Sequence, residues 1–194
     1  MAQSSTTILS SKSFNTLNGG SDIRFDYSSG VSTIQSTTTI LTGSGQLAVR
    51  DLFTISGSNN NNSTFTVKSI NSTKSLTVEE IVTNESAGAT ITSTHAGFVT
   101  DKYKGDGYYS QVDGVHTVAY HVSSTLIGTI KMQGSLATTP TEDDWFDITG
   151  TSATYTGSSN TLVSSYNFTG NFVWVRAKVT GMTADSVMKI LYNH

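Results

Sequence analysis

The chain contains no cysteine. That excludes a disulfide framework, a thiolate zinc site and a cysteine nucleophile, and it suits folding in a reducing compartment. Charge is also scarce, with Asp, Glu, Lys and Arg supplying 13% of 194 residues and a net charge of −3. Disordered chains pair low hydrophobicity with high net charge, so the 36% hydrophobic content does not argue for disorder here. Basic clusters are missing, which argues against a nucleic-acid partner. No apolar run approaches the ~20 residues that span a bilayer, so no membrane is expected. The opening "MAQSSTTILSSKSF" has neither the cationic region nor the apolar core of a secretory signal. A sustained helical period is lacking too, which removes the crossover helices that a parallel α/β sheet needs.

What fills the chain is Ser, Thr, Asn and Gly. Thr is β-branched and favours strands, and hydroxyls can solvate the outer face of a sheet without charge. Sequons at Asn62, Asn71, Asn84 and Asn167 are chance products of this composition. Alternation is clearest where Phe53 and Ile55, Phe65 and Val67, and Leu76 and Val78 each share a face. Between the first two pairs, "GSNNNN" (57–62) carries turn chemistry, since Gly and Asn tolerate positive φ. It reads as a hairpin tip that needs neither proline nor charge. The expectation is an all-β chain in three parts: a polar N-terminal arm over 1–22, a small β-barrel-like module over 23–96, and an antiparallel, jelly-roll-like β-sandwich over 97–194. The arm reads either as frayed or as ordered by a neighbouring subunit.

In "NFVWVRAKV", Val173, Val175, Ala177 and Val179 form one face, the expected core. Phe172, Trp174, Arg176 and Lys178 form the other. Phe172 and Trp174 read either as a satellite cluster under a loop or as a subunit contact, where aromatic residues and Arg are enriched; Phe172, Trp174 and Arg176, with Tyr108 and Tyr109, are the expected interface. His116 and His121 are five apart on one strand and point to opposite faces, so they cannot share a metal; His95 and His194 stand apart from both. Loop carboxylates at Asp101, Asp106 and Asp113, and at Glu142, Asp143, Asp144 and Asp147, lack EF-hand spacing, and no metal or cofactor is expected. There is no "GxSxG" elbow, "HExxH" or phosphate loop, and no catalytic residue is assigned.

"DLFTISGSNNNNSTFTVKSI…SLTVEEIVTNESAGATIT" (about 50–93) resembles a small β module of tailed-bacteriophage structural proteins. Its departure is Asn62-Ser63, where that module has Asn-Gly or Asp-Gly. "DKYKGDGYY…DGVHTVAYHV…MQGSLATTPTEDDWFDI…NFVWVRAKVTG…MKILYNH" (about 97–194) is similar to a domain of virion structural proteins of marine, cyanophage-like tailed phages. The resemblance implies a non-enzymatic virion protein, made in the host cytoplasm. It would decorate the capsid or the neck and tail as a homo-oligomer bound to other virion proteins. It carries over no catalytic residue. The alternative is an adhesin that binds host-surface glycan through Trp145 with Glu142, Asp143 and Asp144, joining an apolar platform to polar groups.

Overall fold

A computed structural model describes residues 5–13, 19–38, 47–109 and 114–194. The chain is all-β, and its contacts divide it into two compact units, one made of 1–14 with 99–194 and the other of 15–98. In chain order the strands are β1 (Ser5–Leu9), β2 (Lys12–Ser13), β3 (Arg24–Ser28), β4 (Val31–Gln35), β5 (Asp51–Ser56), β6 (Thr64–Ser72), β7 (Ser75–Val78) and β8 (Thr92–Val99). They continue with β9 (Tyr103–Lys104), β10 (Val115–Val122), β11 (Ile127–Ser135), β12 (Phe146–Asp147), β13 (Ala153–Thr156), β14 (Val163–Thr169), β15 (Trp174–Ala184) and β16 (Ser186–Asn193). The described residues also form two short 3₁₀ turns, Asp106–Tyr109 and Glu142–Asp144.

In the 15–98 unit the antiparallel order is β8-β5-β6-β7-β4-β3. Bridges Phe25–Glu85 and Gly20–Ile91 tie the β3 side back to the segment that leads into β8, closing the ring. Strict alternation sends Phe53, Ile55, Phe65, Val67, Leu76 and Val78 inward, as their period-two spacing predicts. Phe65 lies with its ring centroid 5.9 Å from Phe53 and 6.4 Å from Phe25. Each such side chain contributes about 1.5–3 kcal/mol through burial, so a core this small tolerates few losses.

The asparagine run does more than turn the chain. Its loop wraps the Glu85 carboxylate, which accepts hydrogen bonds from Ser58 Oγ (2.7 Å), Asn59 N (3.0 Å), Asn60 N (3.0 Å) and Asn61 Nδ2 (3.0 Å). Asn62 closes the loop on itself, accepting from Ser58 N and donating to Ser58 O. A tip expected to need no charge is therefore built around one. Burial raises the Glu85 carboxyl above its ordinary value, but the bonds from Asn59, Ser58, Asn60 and Asn61 outweigh this and hold it below.

The other unit carries two antiparallel arrays. One runs β1-β16-β10-β14, with β2 also on β16. The second runs β12-β11-β15, with β13 on β11 and β9 on β15. Val118, Tyr120, Ile190 and Tyr192 of the first array are buried, as are Ile130, Met132, Val175, Ala177 and Val179 of the second. Tyr120 keeps its hydroxyl satisfied by donating to Thr151 O at 2.8 Å. His116 is fully buried and His121 lies on the opposite, partly exposed face, as their spacing requires.

Two expectations change here. Ser5–Leu9, assigned to an arm, is a strand paired with β16, and Ile8 is buried at 4% exposure. The face assignment in "NFVWVRAKV" holds for Val175, Ala177 and Val179 but not at its start. β15 begins only at Trp174, so Phe172 and Val173 precede the alternating segment; Phe172 is buried while Val173 is partly exposed.

Candidate binding site

Four glycines shape one end of the 99–194 segment. A Cβ at Gly105 would sit 2.5 Å from Phe172 O, and one at Gly107 2.8 Å from Asn171 O. Side chains at Gly134 and Gly170 would strike the Phe172 ring at 2.6 and 2.4 Å. Phe172 is thus seated in a glycine cradle, with the rings of Phe168, Phe146 and His116 about it. The Gly107 N–H donates to Phe172 O at 2.8 Å, which fixes the turn Asp106–Tyr109 over β15.

That turn places Asp106 inside and Tyr108 and Tyr109 outside. The Asp106 carboxylate is buried, accepts from Gly114 N at 2.8 Å, and lies 3.6 Å from His116 Nε2 and 3.4 Å from His194 Nδ1. His116 Nε2 is 2.9 Å from Gly170 O, which can only accept, so Nε2 carries the proton and Nδ1 accepts from Tyr192 OH at 2.8 Å. Burial, reinforced by the Asp106 charge, pushes the Tyr192 phenol well above its ordinary value. The His194 ring stacks on Tyr192 at 5.2 Å and on Tyr109 at 6.1 Å.

Outside this buried chain of polar groups lies an aromatic cluster with two cations. Tyr108 is 5.0 Å from Trp174 and 5.3 Å from Tyr109 by ring centroids. The Lys102 ammonium sits 4.5 Å over Trp174, and the Lys104 ammonium 4.1 Å over Tyr108. Trp174 Nε1 donates to Thr138 O at 3.0 Å, so the indole is held in place. Lys102, Lys104, Tyr109, Trp174, Tyr192 and His194 line an open cavity of about 330 Å³, as do Thr6 of β1 and Tyr103.

The five expected interface residues therefore divide. Tyr108, Tyr109 and Trp174 come together and remain at least partly exposed, whereas Phe172 and Arg176 are turned inward. Arg176 is 5% exposed; its guanidinium holds Glu142 through two bonds (2.8 and 2.7 Å) and donates from Nε to Gln133 Oε1 at 2.9 Å. An arginine engaged this way has few donors left for a partner. It also lies 4.2 Å over the Trp145 ring, so the indole expected to receive a sugar is covered on one face. Glu142 is engaged with Arg176, and Asp144 accepts from Thr141 N and Oγ, which lowers its carboxyl below the ordinary value. All three acidic residues of the turn, Glu142, Asp143 and Asp144, are nevertheless exposed.

Sequence reasoning missed Lys102, Lys104 and His194. The signal was the alternation of Lys and Tyr in "DKYKGDGYY", but only the fold brings it to Trp174 and to the end of β16. Among the described residues, no group of three or more His, Asp or Glu side chains is arranged to hold a metal ion. Compared with protein-family models, curated proteins and solved structures, the chain matches none.

Proposed function

We propose that this chain is a non-enzymatic structural protein of a tailed-phage virion. In this reading it decorates the capsid or the neck and tail, through contacts with other virion subunits and with copies of itself. The resemblances of its two segments and the all-β architecture support the reading. The single observation that carries it is the pair Tyr108 and Tyr109, exposed at 43% and 49% and contiguous with Trp174. Rigid aromatic groups held at a surface are the residues that dominate interface energetics. The competing adhesin platform at Trp145 is disfavoured by the Arg176 guanidinium that covers one face of its ring.

Cosedimentation of the purified protein with particles lacking it is the test. Saturable binding is expected, weakened at least ~10-fold by the double change Tyr108→Ala and Tyr109→Ala. No cosedimentation, or equal binding by the double variant, rejects the reading.

A further inference from the structure

Beyond docking to neighbours, we propose that the cavity between Trp174, Tyr109 and His194 binds an acidic sugar residue, its carboxylate held by Lys102 and Lys104. The two readings share the rings of Tyr109 and Trp174 and the premise that the protein binds without turnover, but only the sugar site needs Lys102 and Lys104. The cavity's shape comes first. Residues of β1, β9, the Asp106–Tyr109 turn, β15 and β16 converge on a bowl of about 330 Å³, the low end of the range for small-molecule sites. An extended peptide is more often taken along a sheet edge or a groove.

Charge comes second. In a chain of net charge −3, this one bowl gathers two lysines and a histidine and no acidic residue among those described as lining it. Both ammoniums rest over aromatic rings, and among the described residues neither has a carboxylate within ion-pair distance. Each is thus placed to exchange a ring contact for a charge-assisted hydrogen bond. Behind them, the buried Asp106 carboxylate orients His194 at the cavity wall.

The third element is the pairing of cation and aromatic wall. An acidic sugar presents a carboxylate at one end and an apolar C–H face beside hydroxyls. Here the ammoniums lie at the rings themselves, and Thr6 and Tyr103 also line the cavity. An isolated anion would use the lysines alone and leave the aromatic wall without a role.

The test is calorimetric titration of the full chain with oligoglucuronate, maltotriose, acetate and a short Glu/Asp peptide. Oligoglucuronate is expected to bind at least ~10-fold more tightly than maltotriose or acetate. That binding should be lost in Lys102→Gln with Lys104→Gln, kept in Lys104→Arg, and unchanged in Lys131→Gln, which lies outside the cavity. Four results overturn the proposal: no heat with oligoglucuronate, equal affinity for acetate, tighter binding of the peptide, or unimpaired binding by the double lysine variant. Failure here with intact particle cosedimentation rejects the sugar site alone; sugar binding without cosedimentation rejects the docking reading alone.

Discussion

Replacing Glu85 with glutamine keeps the shape of the side chain and removes its charge, so it isolates what the asparagine loop contributes. The Oε2 atom accepts from Ser58, Asn60 and Asn61, and Oε1 accepts from Asn59 N and, at 3.3 Å, from Asn59 Nδ2. A glutamine can keep the first three only by turning its NH₂ toward the two Asn59 donors. Those two bonds are lost, and the retained three change from charge-assisted to neutral. At about 1 kcal/mol net per bond, discounted because Asn59 is exposed and water can replace part of the loss, Glu85→Gln should cost about 2 kcal/mol. For a domain of this size that lowers the midpoint of thermal unfolding by on the order of 10 °C.

The effect has a pH signature. The folded carboxyl lies below its ordinary value, so its contribution is complete above the unfolded value of about 4.3 and is lost as pH falls through the lower folded value. The difference between the native chain and the variant should therefore be full at neutral pH and shrink below about pH 4. Hydrogen exchange of the β5 and β6 amides, measured at both pH values, reads the relevant unit directly. A difference under about 0.5 kcal/mol at neutral pH, or one that does not change on acidification, would refute the reasoning.

Two further expectations concern the 99–194 segment. Arg176→Lys keeps the charge but cannot form the two-pronged contact with Glu142 together with the Gln133 bond, so urea denaturation should show a loss of about 1–2 kcal/mol; an unchanged midpoint counts against the assigned role. Gly105→Ala drives a methyl toward the Phe172 carbonyl, a backbone atom that cannot swing aside, and should cost about 1–3 kcal/mol with altered near-ultraviolet dichroism of the ring cluster. Native stability and spectrum in that variant would show that the turn adjusts freely.

The strands were readable because period two is written locally. Phe53 with Ile55 and Val175 with Ala177 and Val179 declare a buried face within a few residues, and the structure buries them. What joins distant segments was not readable. Asn61 meets Glu85 across 24 residues, Arg176 meets Glu142 across 34, and β1 finds β16 across most of the chain. Pairing of that kind depends on register and on which edges remain unoccupied, and neither leaves a mark in the local pattern. Phe172 was misassigned for a related reason: alternation was extended past the point where the strand begins, and of the two glycines that receive its ring, Gly134 lies on a distant strand.

The pairing of Ser5–Leu9 with Ser186–Asn193 also dictates an order of events during synthesis. The first of these segments leaves the ribosome long before the second exists, and everything needed for the 15–98 unit emerges between them. That inner unit can complete itself while the chain is still growing. The early strand must wait, unzipped and hydroxyl-rich, until the last one arrives to receive it.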